Sequence, residues 1–204
     1  MKFSLPSSRG PSALLQIVAG LGSATLWTLA AIGLFVVAFV SFTMANDNFH
    51  AVAKGEAFRS AQPSPQDLER YARDQGIRTV INLRGANPSE AWYRDEVATA
   101  RRLGLRHIDF RMSAKRGITN EEAWQLIQIM RDAPKPLLIH CESGADRSGL
   151  ASALYVAAVE GLGEEAAERH LSLRYGHVQA PFGKGWGSTV TWERMEPALG
   201  FVGS

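Results

Sequence analysis

Residues 136–150 have the sequence PLLIHCESGADRSGL. The apolar run at residues 137–139 is typical of a buried strand. It is followed by Cys141, by five residues that include Gly144, and by Arg147, which opens an apolar helical run. A strand, a tight loop and a helix N-terminus in this order form a cradle for an anion, because loop N–H groups point inward and the helix dipole adds roughly half a positive charge. This stretch therefore predicts an anion-binding loop.

Two side chains in this loop have the chemistry to act on a phosphate. Arg147 can bind two oxygens of one phosphate at once. We expect the positive field to keep Cys141 as a thiolate, which is the nucleophilic form. The pattern therefore predicts a thiol that attacks phosphorus. The alternatives are a buried structural cysteine beside a surface arginine, and a rhodanese-like loop carrying a persulfide, against which the sequence RSG at 147–149 argues.

The motif from His140 to Ser148 resembles the signature of the cysteine-dependent protein tyrosine and dual-specificity phosphatases, because a His-Cys pair is followed by five residues and Arg-Ser. In that family the cysteine forms a phosphocysteine intermediate, the arginine binds the phosphoryl group, and the next hydroxyl helps the thiolate to leave. By resemblance, these catalytic roles fall on Cys141, Arg147 and Ser148. The substrate-binding loop would then comprise Glu142, Ser143, Gly144, Ala145, Asp146 and Arg147.

A wider resemblance covers roughly residues 49–175. The segments FRSAQP at 58–63 and GIRTVINLR at 76–84 are similar to the N-terminal half of bacterial dual-specificity-like phosphatases and of the plant and fungal atypical dual-specificity group. Three arginines in this region are expected either to add positive potential at the pocket mouth or to stabilise the fold: Arg59, Arg84 and Arg116.

The flanking sequence alternates between strand and helix patterns. Strands are predicted at 77–83 and 105–110, and cap residues predict helix starts at Ser64 and Thr119. An almost wholly apolar segment predicts a helix at the centre of the domain. We therefore expect an α/β fold in residues 49–204, with a central mostly parallel sheet flanked by helices. Further predictions are extended pieces at 49–59, a helix opening at 87–90, the apolar helix at 148–162, helices at 164–173 and 190–198, and a loop at 175–188.

The proton donor is harder to identify. Most members of the resembled family use an aspartate from the loop that corresponds to residues 112–118, which here reads MSAKRGI and has no carboxylate. Asp109 and Asp146 are equally good candidates, and Glu142 is a third. Each must be protonated near a phosphate, because a carboxylate would repel it. His140 is expected to hold the loop in place.

A long uncharged segment precedes the domain. Residues 13–44 carry no formally charged side chain, and about 20 apolar residues span a bilayer as a helix. We therefore expect a short tail at 1–12, a single transmembrane helix within 13–44 and a linker at 45–48. A cleaved signal peptide is the alternative, although the small-residue pattern AVA at 51–53 lies too far beyond the apolar core.

The charges around this segment predict its orientation. Lys2 and Arg9 precede it, which favours the N-terminus inside and the catalytic domain outside the cytoplasm. The resemblance to bacterial enzymes implies a bacterial inner membrane.

Composition excludes some classes of function. The 204-residue chain has a net charge of +2 and a single cysteine, so an intramolecular disulfide is excluded. No basic run interleaves with aromatic residues, so we expect no nucleic-acid partner. No cofactor or metal is expected, because the metal-ligand spacing is missing around His107, His170 and His177. Nothing in the sequence indicates the oligomeric state.

Two classes of function are predicted. The first is a membrane-anchored phosphomonoesterase that acts through phosphocysteine on a phosphotyrosine protein, a phospholipid or an inositol phosphate. The second is a catalytically weak module that binds a phosphorylated partner or a lipid headgroup.

Overall fold

The computed structural model describes residues 25–38 and 47–201. The chain divides into two compact units, residues 1–42 and 43–204. In the first, residues 25–38 form helix α1 with exposed side chains. Across the two described ranges, no helix has both the length and the apolar character needed to cross a membrane. The rest of the predicted span, at 13–24 and 39–44, lies outside the described residues, as does the tail at 1–12.

The second unit is built on a five-stranded sheet in the order β1-β2-β5-β3-β4. Strand β1 is antiparallel to β2, and the other three neighbouring pairs are parallel, so the predicted mostly parallel sheet is confirmed. In the central strand β5, His140 is level with Ser60 of β2 and Asn82 of β3. The carboxyl ends of three parallel strands therefore meet one residue before Cys141. The strands are β1 His50–Ala53, β2 Ala57–Ser60, β3 Thr79–Asn82, β4 Arg106–Asp109 and β5 Leu137–His140.

Six helices follow α1 in the described part of the chain. The predicted starts of α2 and α4 are confirmed, because Ser64 with Asp67 and Thr119 with Glu122 form capping boxes. Helix α2 ends at Gly76, whose φ of 68° lies in the left-handed region that glycine tolerates. The helices are α2 Pro65–Gln75, α3 Ala91–Arg102, α4 Asn120–Asp132, α5 Asp146–Ala158, α6 Glu164–Glu168 and α7 Trp186–Met195, with 3₁₀ turns at Leu173–Tyr175 and Pro197–Leu199.

Four helices have boundaries that differ from the prediction. Helix α5 begins at Asp146 and ends at Ala158, two residues early and four residues short of the prediction. Helix α6 stops at Glu168, and the chain is extended again at Ser172. Helix α7 spans Trp186–Met195, so it begins within the predicted loop at 175–188 and four residues before the predicted start at 190; it has no side-chain cap that would mark this start in the sequence. Helix α3 starts at Ala91 rather than at 87–90, and the Asn87 side-chain oxygen accepts from the Arg111 guanidinium instead of capping the helix.

Helices cover both faces of the sheet. One face packs on a core contributed mainly by α4, α5 and α7, and the other packs on α2 and α3. Every residue of α5 from Ser148 to Val156 is buried, so the predicted central helix is confirmed. Because β5 and α5 are both held by the core, the loop between them is fixed at both ends.

Candidate active site

A pocket of about 490 Å³ opens over the loop between β5 and α5. Its lining includes most of the predicted substrate-binding residues, whereas Gly144 and Ala145 are buried. Two other parts of the chain contribute Ala114 and Lys184. The pocket-lining residues are Ala61, Ala114, Cys141, Glu142, Ser143, Asp146, Arg147 and Lys184.

Cys141 and Ser148 lie together in this pocket region. The Cys141 thiol is 1% exposed, and its Sγ atom is 3.5 Å from the Ser148 Oγ atom. Ser148 is fully buried in the first turn of α5, where the helix dipole is positive. A hydroxyl in this position can donate a hydrogen bond to a thiolate and stabilise its negative charge.

The turn of the loop depends on Gly144. Its φ is 72°, and a Cβ atom there would lie 2.7 Å from the Ala61 backbone nitrogen and 2.8 Å from the Ser60 carbonyl carbon. A side chain at this position would therefore clash with the end of β2. Asn48 also supports the loop, since its amide donates to the carbonyl oxygens of Ser143 and Tyr175.

Arg59 lies beneath the loop and not at the pocket mouth. Its fully buried guanidinium donates to the carbonyl oxygens of Gly144 at 2.7 Å, Ala145 at 2.9 Å and His170 at 2.8 Å. Burial lowers the pKa of Arg59 to about 10, so the side chain stays charged at neutral pH. Of its two expected roles, the structure supports stabilisation of the fold.

The other two arginines also lie outside the pocket lining. Arg84 stacks over the Trp92 ring at 3.5 Å and donates to the Gln62 side-chain oxygen. Arg116 lines a separate surface pocket with Arg194. Neither contributes a wall to the pocket over Cys141.

His140 is held by a buried carboxylate on α3. The Glu96 Oε1 atom is 3.1 Å from the His140 Nε2 atom and 2.7 Å from the His107 Nε2 atom, and the Gln62 amide donates to Oε2. Burial alone would raise the pKa of Glu96, but the two histidines and Gln62 outweigh it and lower that pKa to about 2. An ionised Glu96 therefore fixes the ring that precedes Cys141.

Asp109 lies at the end of β4, outside the pocket lining. Its two oxygens accept hydrogen bonds from the Asn82 amide at 2.8 Å and the Tyr93 hydroxyl at 2.6 Å. The hydrogen bond to Asp109, together with burial, raises the pKa of Tyr93 to about 12. Both oxygens of Asp109 are thus occupied by structural partners.

Asp146 and Glu142, the other two proton-donor candidates, line the pocket. The Asp146 Oδ1 atom is 2.7 Å from the His177 Nδ1 atom, and the Asp146 side chain is 20% exposed. The Glu142 side chain is 73% exposed and lies 3.6 Å from the Arg147 guanidinium.

Sequence patterns missed several residues that the fold brings to this site. Each of them lies far along the chain from the catalytic motif, and none belongs to a motif with recognisable spacing. They are Asn48, Glu96 and His177, which contact residues of the motif, and Lys184, which lines the pocket. Among the described residues, Glu164, Glu168 and Glu196 lie close enough together to share a metal ion. None of the three lines the pocket over Cys141.

A family model described as "DSP-PTPase phosphatase fused to NAD+ Kinase" matches residues 32–176, more than half of the chain. The chain belongs to this family of phosphatases. The match shows that the protein is a cysteine-dependent phosphatase of the tyrosine and dual-specificity type. This favours the predicted enzyme over the phosphate-binding module. No curated protein sequence matches the chain significantly.

Solved structures share the fold of the phosphatase. TpbA from P. aeruginosa is 20% identical with a TM-score of 0.56, over 76% of this chain and 92% of that chain. The catalytic domain of the PP-IP phosphatase SIW14 from S. cerevisiae, in complex with citrate, is 15% identical with a TM-score of 0.55, over 76% and 94%. PTPMT1 in complex with PI(5)P is 16% identical with a TM-score of 0.53, over 76% and 97%. At these identities the likeness shows the fold alone.

Proposed function

We propose that the phosphatase hydrolyses phosphate monoesters through a phosphocysteine intermediate. The Cys141 thiolate attacks phosphorus, so the S–P bond forms and the ester P–O bond breaks while Arg147 binds the phosphoryl oxygens. Water then attacks phosphorus, the S–P bond breaks, and Ser148 stabilises the departing thiolate. The products are the alcohol and inorganic phosphate. The observation that carries this proposal is the contact between the Cys141 thiol and the Ser148 hydroxyl, beside Arg147 in one pocket.

Asp146 is the proposed proton donor. It lines the pocket, whereas both oxygens of Asp109 are hydrogen-bonded outside it. In the first step Asp146 gives its proton to the leaving oxygen, and in the second step its carboxylate takes a proton from the attacking water. Glu142 is less suited to this role, because its exposed side chain is paired with Arg147.

The proposed substrate is a phosphorylated tyrosine side chain, a phosphoinositide or an inositol phosphate. The pocket carries two cationic side chains, Arg147 and Lys184, which suit a phosphate dianion. Related folds support this range, since TpbA has been solved in complex with pTyr and PTPMT1 in complex with PI(5)P.

A Cys141→Ser variant tests the covalent mechanism. With labelled phosphotyrosine, rapid quenching of the wild type should trap a phosphoprotein, because the S–P bond of phosphocysteine forms before water attacks it. Cys141→Ser should bind the substrate yet form no phosphoprotein and turn over more than about 10³-fold more slowly. Turnover of Cys141→Ser within about tenfold of the wild type would rule out the thiol as nucleophile.

We also propose that residues 13–44 anchor the phosphatase to a membrane as a single pass, with the catalytic domain outside the cytoplasm. Support comes from the absence of formally charged side chains in this segment and from the exposed apolar side chains of α1. The full-length chain should then stay with the membrane fraction after an alkaline wash, and externally added protease should digest the domain in spheroplasts. Release by the wash, or a mature N-terminus near residue 54, would instead favour a cleaved signal peptide.

A further inference from the structure

His177 connects the pocket to the C-terminal helix. Its Nδ1 atom is 2.7 Å from Asp146 Oδ1, and its Nε2 atom is 3.0 Å from the Thr189 Oγ1 atom. His177 is 1% exposed and Thr189 is 6% exposed. Both ring nitrogens of a buried histidine therefore have partners, one at the active site and one on α7. Such a ring has a fixed orientation.

The chain closes tightly over this contact at Gly185. A Cβ atom at Gly185 would lie 2.3 Å from Asp146 Oδ1 and 2.9 Å from His177 Nδ1. Only a residue without a side chain permits this approach, and Gly185 itself is buried. The hydrogen bond is thus shielded from water on this side, which strengthens it. The same segment carries Lys184 to the pocket.

The two oxygens of Asp146 have different surroundings. Oδ1 is bound to His177, whereas Oδ2 has no hydrogen-bond partner among residues 25–38 and 47–201. The charged groups around Asp146 are Arg59 below the loop and, at the pocket, the cations Arg147 and Lys184 together with the Glu142 carboxylate and the proposed Cys141 thiolate. A carboxyl group held by one oxygen presents the other in a fixed direction, which is the geometry that proton transfer needs.

We propose that His177 is a positioning residue that aims Asp146 at the leaving-group oxygen. The Nδ1–H group donates to Oδ1, and Nε2 accepts from the Thr189 hydroxyl. The Oδ2–H group then gives its proton to the leaving oxygen, and the resulting carboxylate keeps its hydrogen bond to His177 until it takes a proton from water. This role rests on the proposed assignment of Asp146 as donor.

Leaving-group dependence separates this role from a structural one. General acid catalysis matters for a poor leaving group such as tyrosine, and matters little for a nitrophenolate. A positioning residue should therefore affect kcat for phosphotyrosine selectively, while a residue that only supports the loop should affect both substrates alike. The experiment uses the purified full-length chain with phosphotyrosine and p-nitrophenyl phosphate.

His177→Leu should lower kcat for phosphotyrosine about 10- to 10²-fold, leaving KM and the rate with p-nitrophenyl phosphate within about threefold of the wild type. His177→Asn should recover most of the loss, because its amide nitrogen stands where Nδ1 stands in histidine. Thr189→Val, which keeps the ring but removes its second partner, should show a smaller selective loss. The double variant His177→Leu/Asp146→Asn should be no slower than Asp146→Asn alone, since His177 acts through Asp146.

His170→Leu is the matched control. His170 is also a buried histidine between α6 and α7, but it stacks on Tyr175 and does not contact Asp146. It should change both substrates to the same extent. Equal losses on both substrates for His177→Leu, or additive losses in the double variant, would overturn the positioning role while leaving the phosphocysteine mechanism intact. A lack of selective loss in Asp146→Asn would overturn the donor assignment and, with it, the role of His177. If His177→Leu does not fold, Thr189→Val and His177→Asn decide between the same outcomes.

Discussion

Two carboxylate–histidine contacts flank the catalytic loop, and they differ in how many partners the carboxylate has. Glu96 contacts His140, His107 and Gln62 and has a fully buried side chain. Asp146 contacts His177 through one oxygen and is partly exposed to the pocket. The same pair of residue types thus forms a closed structural cluster on one side of Cys141 and an open contact on the other.

The difference shows what restricts a carboxylate to a structural role. The pKa of Glu96 is held at about 2, with burial opposed by His140, His107 and Gln62, so this group carries no proton to donate at neutral pH. Its charge is compensated where it is buried, and breaking such a pair is costly. Asp146 retains an oxygen on the pocket side, where the proposed reaction needs a proton donor.

We expect the phosphoryl group to bind between these two carboxylate–histidine contacts, and a variant of Arg147 tests this position. Arg147→Lys should reduce kcat/KM by about 10³-fold on both substrates, because an ammonium group cannot reproduce the two parallel hydrogen bonds of a guanidinium. Steady-state kinetics with p-nitrophenyl phosphate and phosphotyrosine measures this. Arg73→Lys, on the exposed face of α2, serves as the control and should leave both rates unchanged. Near-normal kinetics for Arg147→Lys would show that Arg147 does not bind the phosphoryl group.

The structural side of the comparison predicts a loss of stability for Glu96→Gln. The folded-state pKa of Glu96 is about 2, against an ordinary value of 4.5, and this difference corresponds to about 3 kcal/mol of folding free energy at neutral pH. Because the folded pKa is the lower one, this stabilisation is complete above about pH 4.5 and is lost as the pH falls toward about 2. Urea unfolding of the wild type and the variant should therefore converge in acid. A constant difference across this range would mean that the Glu96 charge does not stabilise the fold.

The chemical side of the comparison predicts a difference between two aspartates. Asp146→Asn should lose about 10²-fold on phosphotyrosine and little on p-nitrophenyl phosphate, because it removes the proton donor. Asp109→Asn should change the rates on both substrates equally, because it disturbs contacts with Asn82, Tyr93 and His107 that lie outside the pocket lining. The ratio of the two kcat values for each variant is the measurement. A selective loss in Asp109→Asn would reverse the assignment.

The smallest expected effect on the rate comes from a variant that lengthens the contact between Asp146 and His177. Gly185→Ala should push Asp146 and His177 apart and cost about tenfold on phosphotyrosine, since the added Cβ atom overlaps both side chains. Gly163→Ala is the matched control, because a Cβ atom there meets nothing within 4 Å. Unchanged kinetics in Gly185→Ala would show that the close approach has no role in the reaction.

Local sequence was sufficient for much of the fold. The capping boxes at Ser64 and Thr119 and the turn at Gly76 depend on residues within one helical turn, so their patterns predicted the helix ends. The apolar strand before Cys141 and the apolar helix after Ser148 likewise predicted the buried β5–α5 unit that carries the loop. The start of α7, which lacks a side-chain cap, was not predicted.

The sequence by itself determined the candidate nucleophile, arginine and hydroxyl. These three side chains act on one phosphate from a single short loop between a strand and a helix, so their spacing along the chain is fixed. Only the tertiary structure separated Asp146 from Asp109, since their partners come from other parts of the chain. Asp146 and His177 are 31 residues apart, and Arg59 reaches across 111 residues to the carbonyl of His170. Contacts at such separations follow from how helices and strands pack around the core, and no local pattern of residue types encodes them.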